Sequence, residues 1–461
     1  MFKFFKHIHF VAIGGSGISP IAEVWLRKGY EVSGSDQYLN ESTERLEKLG
    51  AKIYKGHDAS NLAEDVDLLV YSSAIREDNP ELREAARRGI PFVKRPEMLT
   101  ETMRLKYGIG ISGTHGKTTT TSMTATVLIE AGLDPTVIVG GRLKILDGGN
   151  ARLGGSEFLV IEADEYDRTF LSLTPVIAVI TNVEAEHLDT YKDLDDIKNT
   201  FIEYANKVPF YGFVAACTDE ENVVKILPDI KKRVITYGTK EGADVRAVNI
   251  SAEGRGTSFD VICKGKELGN IKLNVPGLHN IKNSLAAITV ATELNTPFSV
   301  IKSSLLKFSG AARRFEVKYD GSIMVIDDYG HHPTETGATV SGIKKGWSRR
   351  LITVFQPHNY TRTRDFYKDF AASFMQSDIF ICTDIYTSRE EPIAGVSGEL
   401  IIKECEKLGH QNIKYIKDKK DVPAYLSSIK AAGDIVLTIG AGDIYKYGEI
   451  FIDYLKAESG N

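Results

Sequence analysis

The sequence predicts an α/β protein of three domains, and three observations carry that reading. Short apolar runs rich in β-branched residues, among them 158–161, 176–181 and 435–439, alternate with helical stretches, as expected for parallel strands covered on both faces. Glycine turns at 14–17 and 113–116 each follow an apolar run and precede a helical pattern. At 461 residues the chain is too long for one core and divides into about three domains of ordinary size. The boundaries are expected at 1–106, 107–312 and 313–461.

Hydrophobic content of 42% and charged content of 26% are those of a globular protein, and a formal charge of -5 offers no basic excess for nucleic acid. The four cysteines, Cys217, Cys263, Cys382 and Cys405, form no C-x-x-C pair, which argues for buried, reduced thiols rather than a zinc site or a disulfide framework. The aromatic and basic start is interrupted by Lys6, His7 and His9 and runs into a glycine turn, so it reads as a first strand. No cleavage site follows, and no apolar stretch approaches about 18 residues, so neither secretion nor a membrane partner is expected. A cytoplasmic monomer or weak homodimer is the expectation.

In the first domain a strand over 9–13 leads through Gly14-Gly15-Ser16-Gly17 to a helical pattern over 21–28, then to a strand over 30–35 that ends at Asp36. This resembles the Rossmann dinucleotide fingerprint, with Pro20 where the third glycine belongs. The turn could hold NAD, seat the diphosphate of another nucleotide, or close a ligand-free βα unit. Strands at 68–71 and 90–93 complete a Rossmann-like domain.

The central domain opens with a strand over 107–112, followed by Gly113-Thr114-His115-Gly116-Lys117-Thr118-Thr119 and a Thr- and Ala-rich helix. A strand turning through glycines into a helix N-terminus aims backbone amides and the helix dipole at a phosphate. Lys117 would reach the β- and γ-phosphates of ATP, and Thr118 or Thr119 would ligate its Mg²⁺. Ile111 stands where the common P-loop pattern has glycine, so the loop is short, and a chance Gly-Lys-Thr triplet is the competing reading. The strands over 158–161 and 176–181 end in Glu162-Ala-Asp164-Glu165 and Asn182-Val-Glu184-Ala-Glu186-His187. In a P-loop ATPase-like, mostly parallel sheet these ends gather beside the cradle. The third domain repeats a Rossmann-like alternation with strands over 323–326, 351–355, 379–382 and 435–439.

The motif at 113–119 stands with Glu162, His187, Leu278-His279-Asn280-x-x-Asn283, Arg313-Arg314-Phe315-Glu316 and Asp327-Asp328-Tyr329-x-His331-His332-Pro333. Together, in order and spacing over nearly the whole chain, they resemble the Mur ligases. The resemblance implies ATP-dependent ligases of bacterial peptidoglycan synthesis, with domains for UDP-sugar, ATP and incoming amino acid. It also implies that the short cradle is the family's own form and that the turn at 14–17 seats the UDP diphosphate, without NAD. Asp-Tyr-Gly-His-His-Pro-Thr-Glu at 328–335, with Phe355-Gln356-Pro357-His358 and Thr361-Arg362-Thr363-Arg364, is similar to the branch that adds L-alanine to UDP-N-acetylmuramate. A related branch that adds a ready-made tripeptide is the alternative.

Joining a carboxylate to an amine is uphill in water, so the carboxylate must first attack the γ-phosphorus of ATP and become an acyl phosphate. Mg²⁺, Lys117 and oriented amides would neutralise the charge that this step brings together. Thr118 and Glu162 are candidate metal ligands. His187 is a candidate for a second Mg²⁺, although imidazole is a less common partner of that ion than oxygen, and a hydrogen-bonded loop histidine is the other reading. By resemblance Asn280 lies near the adenine and Asn283 nearer the phosphates, where helix capping is the alternative. Arg314 would reach the γ-phosphate on domain closure, and Asp328 and His331 would complete the catalytic set. Arg362 suits the amino acid's carboxylate, with Tyr360 beside it. His358 would orient the amine or take its proton, or else serve as a structural loop residue. Asp36, His57, Ser72 and Ser73 join Gly14, Gly15, Ser16 and Gly17 as UDP-sugar contacts. Family members often carry a carbamylated lysine, and Lys198 is not assigned that role. A NAD-dependent oxidoreductase and a non-catalytic UDP-sugar sensor are the rival classes.

Overall fold

Three sheets form, one for each expected domain, in a computed structural model that describes residues 5–458 apart from 73, 105, 187–189 and 388–389. Ser73 and His187 therefore fall outside the described residues. The first sheet contains β1 (His7–Val11), β2 (Glu31–Asp36), β3 (Lys52–Lys55), β4 (Leu68–Tyr71) and β5 (Phe92–Lys94) in the order β3-β2-β1-β4-β5. All of its pairings are parallel. The winding direction reverses between β1 and β4, which opens a crevice at the carboxyl end of β1, where the glycine turn lies. β1 starts two residues before the apolar run does. His7 and His9 are buried on one face of the strand and both bond the Ser33 hydroxyl, so they continue the strand instead of interrupting it. The following helix, Ser19–Arg27, takes Pro20 in its first turn, where a missing N–H costs nothing.

The second sheet begins with β6 (Tyr107–Ser112), β7 (Thr136–Leu143), β8 (Gly149–Arg152), β9 (Phe158–Glu162) and β10 (Ile177–Ile180). It continues with β11 (Phe213–Cys217), β12 (Val234–Gly238), β13 (Val245–Glu253), β14 (Gly256–Cys263) and β15 (Lys266–Leu273). The order is β15-β14-β13-β12-β11-β10-β6-β9-β7-β8. β6 is paired in parallel with β9 on one side and β10 on the other, so the segments that leave all three carboxyl ends meet at one place. The third sheet holds β16 (Glu316–Asp320), β17 (Met324–Asp328), β18 (Leu351–Phe355), β19 (Ile379–Thr383), β20 (Ile413–Ile416) and β21 (Ile435–Ile439). Its order is β16-β17-β21-β18-β19-β20, with β16 the antiparallel edge.

By internal packing the chain forms two compact units, residues 1–248, 261–269 and 282–305, and residues 249–260, 270–281 and 306–461. The first unit carries the first sheet and the phosphate cradle, and the second carries the third sheet. Among the described residues no helix is long and apolar enough to cross a membrane.

Candidate functional site

The cradle is shaped by two glycines that no other residue replaces without conflict. Gly113 has φ +135°, and a β-carbon there would fall 2.0 Å from Thr181 Oγ1. Gly116 has φ +83° and caps the helix Lys117–Glu130, and a β-carbon there would lie 2.7 Å from Asn283 Oδ1. The β10 end fastens the loop: Asn182 Oδ1 accepts the His115 N–H at 2.7 Å, and Asn182 Nδ2 and Thr181 Oγ1 donate to the His115 carbonyl at 2.9 and 2.6 Å. The Thr114 hydroxyl accepts the Glu184 N–H at 2.9 Å. The first helical bond runs from Thr120 N to Gly116 O, so the amides of Lys117, Thr118 and Thr119 have no carbonyl within the helix to bond. Asn283, from the helix Leu278–Glu293, accepts the Thr120 hydroxyl at 3.1 Å, which places it against the cradle. Asn280 donates to the Pro276 carbonyl at 2.7 Å and ties down the start of its helix.

Lys117 Nζ donates to both oxygens of Glu165, at 2.9 and 2.7 Å, and to the Gly113 carbonyl at 2.8 Å. Burial opposes its charge, but Glu165 and Asp164 outweigh burial and hold the ammonium above its ordinary pKa. Burial pushes Glu165 up to about 7, with Lys117 pulling the other way. Glu162 ends β9, where desolvation raises its carboxyl. Its Oε1 accepts the Gly140 N–H at 2.7 Å, and the Thr118 hydroxyl bonds the same carboxylate. A desolvated carboxylate beside a threonine hydroxyl is an all-oxygen donor pair, and that chemistry fits Mg²⁺. Lys198 lies in the helix Leu194–Asn206 and pairs with Asp195 at 3.1 Å.

In the second unit Asp328 ends β17 with its carboxylate buried. It accepts N–H bonds from Phe315 at 2.8 Å and Gly330 at 2.7 Å. Burial pushes it up to about 6, against the pull of Arg314 and those two amides. Glu335 gathers the surrounding loop: it accepts the His331 N–H at 2.9 Å and pairs with Arg314 at 3.4 Å. Arg313 bonds Asp327 at 3.0 Å and the carbonyls of Gly440 and Gly442 at 2.7 and 3.1 Å. It therefore anchors the turn that presents Arg314. The His358 ring lies 6.1 Å from that of His331, stacks on Tyr386, and has its Nδ1 3.3 Å from Arg362 Nη1. Burial, then His331 and Arg362, lowers its pKa to about 4, so it is neutral at pH 7. Tyr360 opens the helix Tyr360–Ser373, which carries Arg362. Arg314, Asp328, His331, His358, Tyr360 and Arg362 thus belong to one end of the third sheet.

In the first domain the Gly14 N–H bonds Asp36 Oδ2 at 2.9 Å, so Asp36 fastens the turn from the end of β2. Gly17 lies close under Arg95, whose Nη1 would be 2.8 Å from a β-carbon there. His57 bonds Ser35 Oγ at 2.9 Å and sits 3.6 Å from Glu81, inside a polar cluster of the fold. Ser72 follows β4 and its hydroxyl accepts the Ala74 N–H at 3.4 Å.

Sequence reasoning assigned no role to Glu165, Thr181, Asn182, Arg313 or Glu335. The signal for Glu165 and Asn182 was their place at the ends of strands flanking β6, and for Arg313 and Glu335 their place inside motifs already singled out.

Three successive α/β domains, with a short glycine cradle flanked by acidic strand ends in the middle one, are the arrangement of an ATP-dependent ligase. Family models described as Mur ligase family catalytic domain, Mur ligase middle domain and Mur ligase glutamate ligase domain match residues 7–107, 111–291 and 313–442. The chain belongs to the Mur ligase family. It is 51% identical to the UDP-N-acetylmuramate–L-alanine ligase of Geotalea uraniireducens over 459 residues, which cover 99% of this chain and 100% of that one. Among solved structures it is similar to a UDP-N-acetylmuramate-alanine ligase from Thermotoga maritima, with a TM-score of 0.84, 28% identity and coverage of 98% and 99%. A murein peptide ligase from Psychrobacter arcticus gives a TM-score of 0.72 at 25% identity, with 98% of both chains covered.

Proposed function

We propose that this protein joins L-alanine to the lactyl carboxylate of UDP-N-acetylmuramate, with ATP converted to ADP and phosphate through an acyl phosphate, in peptidoglycan precursor synthesis. The observation that carries the chemical half of this reading is the cradle. First-turn amides, the Lys117 ammonium and the Glu162–Thr118 oxygen pair surround one position suited to a nucleotide triphosphate. The full-length relatives support the choice of substrates.

Lys117 is held charged and can transfer its bonds from Glu165 to phosphate oxygens. The buried Glu165 then loses its partner, which its raised pKa tolerates by taking a proton. Glu162 and Thr118 would hold Mg²⁺, which when bound supplies charge neutralisation for the transferring phosphoryl group. His187 is assigned a second Mg²⁺ on the resemblance alone. Thr114, His115 and Thr119 shape the cradle wall, Asn283 steadies it, and Asn280 is assigned to the nucleotide. We assign Arg314, Asp328 and His331 to the phosphoryl and acyl phosphate groups. Arg362 and Tyr360 are assigned to the amino acid, and the neutral His358 to orientation of the amine, since a pKa near 4 makes it a weak base. The turn at Gly14–Gly17, with Asp36 behind it and Ser72 and Ser73 after β4, is assigned to the UDP-sugar. His57 supports that wall through Ser35. Domain limits at 1–106, 107–312 and 313–461 and a cytoplasmic location complete the proposal.

Acceptor choice tests the reading. The purified chain with ATP, Mg²⁺ and UDP-N-acetylmuramate is expected to release phosphate with L-alanine and not with the tripeptide L-alanyl-γ-D-glutamyl-diaminopimelate. Release with the tripeptide alone would transfer the assignment to the recycling branch.

A further inference from the structure

We propose that the amino-terminal edge of the first sheet is a binding site for a divalent transition-metal ion of the Zn²⁺ class, formed by His7, Glu31 and Asp65. The pairing register of the sheet creates it. His7 of β1 lies directly opposite Glu31 of β2, so the two side chains emerge on the same face, and the turn before β4 brings Asp65 to that edge. One donor atom of each residue lies within 4.8 Å of the other two.

The histidine is what points to a ligand. His7 is nine-tenths buried, with 8% of its surface exposed, and its Nε2 lies 2.8 Å from Ser33 Oγ, which also meets His9 Nδ1 at 2.8 Å. That contact fixes the ring and aims Nδ1 outward. Nδ1 faces Asp65 Oδ1 at 3.1 Å without hydrogen-bond alignment, and it is a buried nitrogen with no hydrogen-bond partner. An imidazole whose far nitrogen is fixed by a serine hydroxyl, with the near nitrogen turned toward two carboxylates, has the arrangement of a metal-ligating histidine. One nitrogen and two carboxylates suit Zn²⁺, and three protein ligands leave a position for water. Ligand atoms around Zn²⁺ sit about 3.3–3.6 Å apart, given bonds of about 2.0–2.2 Å. Glu31 and the two-thirds exposed Asp65 are free of the core and can close that difference by side-chain rotation.

Gly14 lies seven residues beyond His7, on the order of 20 Å along an extended chain, so the site is separate from the residues assigned to UDP-sugar. The ion would link β1, β2 and the turn before β4, and its effect is stabilisation of the first domain.

The test uses the full chain, stripped with EDTA and exchanged into Mg²⁺-containing buffer. Wild type and a Glu31→Gln/Asp65→Asn double variant are titrated with ZnCl₂ by calorimetry and with CoCl₂ by visible absorption. Both substituted side chains are exposed, so the fold is retained, and circular dichroism checks this. One equivalent of Zn²⁺ is expected in wild type that the double variant lacks or binds at least tenfold more weakly. A Co²⁺ d–d band should follow the same pattern, and Zn²⁺ should raise the wild-type Tm alone. Identical isotherms in the two proteins, or no binding in either, would overturn the proposal and leave His7 and Asp65 as a simple ion pair.

Discussion

Lys117 is gripped by Glu165 and two loop carbonyls, while Glu162 is held by the Gly140 amide and Thr118, so the two residues are positioned by different neighbours. Lys117→Ala and Glu162→Ala are each expected to lower phosphate release at least a thousandfold while UDP-N-acetylmuramate still binds by calorimetry. Turnover near that of wild type in either variant would remove the residue from phosphoryl transfer. Asp328 gives a pH prediction. Its folded-state pKa, about 6, lies above its ordinary 3.8, so its contribution to stability is complete below about 3.8 and is lost as pH rises through 6. The loss is on the order of 3 kcal/mol. Asp328→Asn should flatten that part of the pH profile, measured by urea unfolding in a Trp25→Phe background where Trp347 reports on the third domain. An unchanged slope would contradict the burial argument. At this scale Lys117 and Glu162 stood out in the sequence because glycine spacing and a strand end mark them locally, whereas Arg314 was singled out only through the family motif that contains it. Asn182 was not, because its partner His115 is 67 residues away and only the β6–β10 pairing brings them together.

The elements depend on where apolar runs stop. β4, β6, β18 and β21 coincide with the runs read from sequence, because each is a continuous apolar stretch bounded by polar residues and covered on both faces. β1 was placed two residues late, since His7, which is buried, read as a break before the apolar run. The strands β13, β14 and β15 went unread because only β14 alternates regularly, between buried and half-buried residues, while the end of β13 and most of β15 lie at the surface and carry polar residues and a glycine that break the apolar pattern. The cradle was legible in sequence, and its backbone is the part most open to test. Gly116→Ala adds a β-carbon at φ +83° beside Asn283, at a cost of roughly 1–2 kcal/mol in backbone strain alone. ATP affinity is expected to fall at least tenfold in calorimetry, with little change in UDP-N-acetylmuramate affinity. Retained ATP affinity would mean that the loop tolerates another conformation.

The order of the three domains was readable from the sequence, but the close association of the first domain with the central one was not. It rests on contacts distant in sequence: Arg45 donates to the Asp147 carbonyl at 3.3 Å, Arg142 pairs with Glu41, and Thr100 bonds Ser172 at 3.0 Å. No local pattern announces such pairs, because each partner reads as an ordinary surface residue. If the whole chain acts as an L-alanine-adding ligase, ATP turnover depends on the amino acid and on the sugar nucleotide together. Phosphate release from ATP and Mg²⁺ is followed with UDP-N-acetylmuramate present, L-alanine added or withheld, and the product weighed by mass spectrometry. Release is expected to require L-alanine and to accompany, one-for-one, a product heavier by one alanyl residue. Phosphate released equally without L-alanine, or an unchanged sugar nucleotide after turnover, would contradict it.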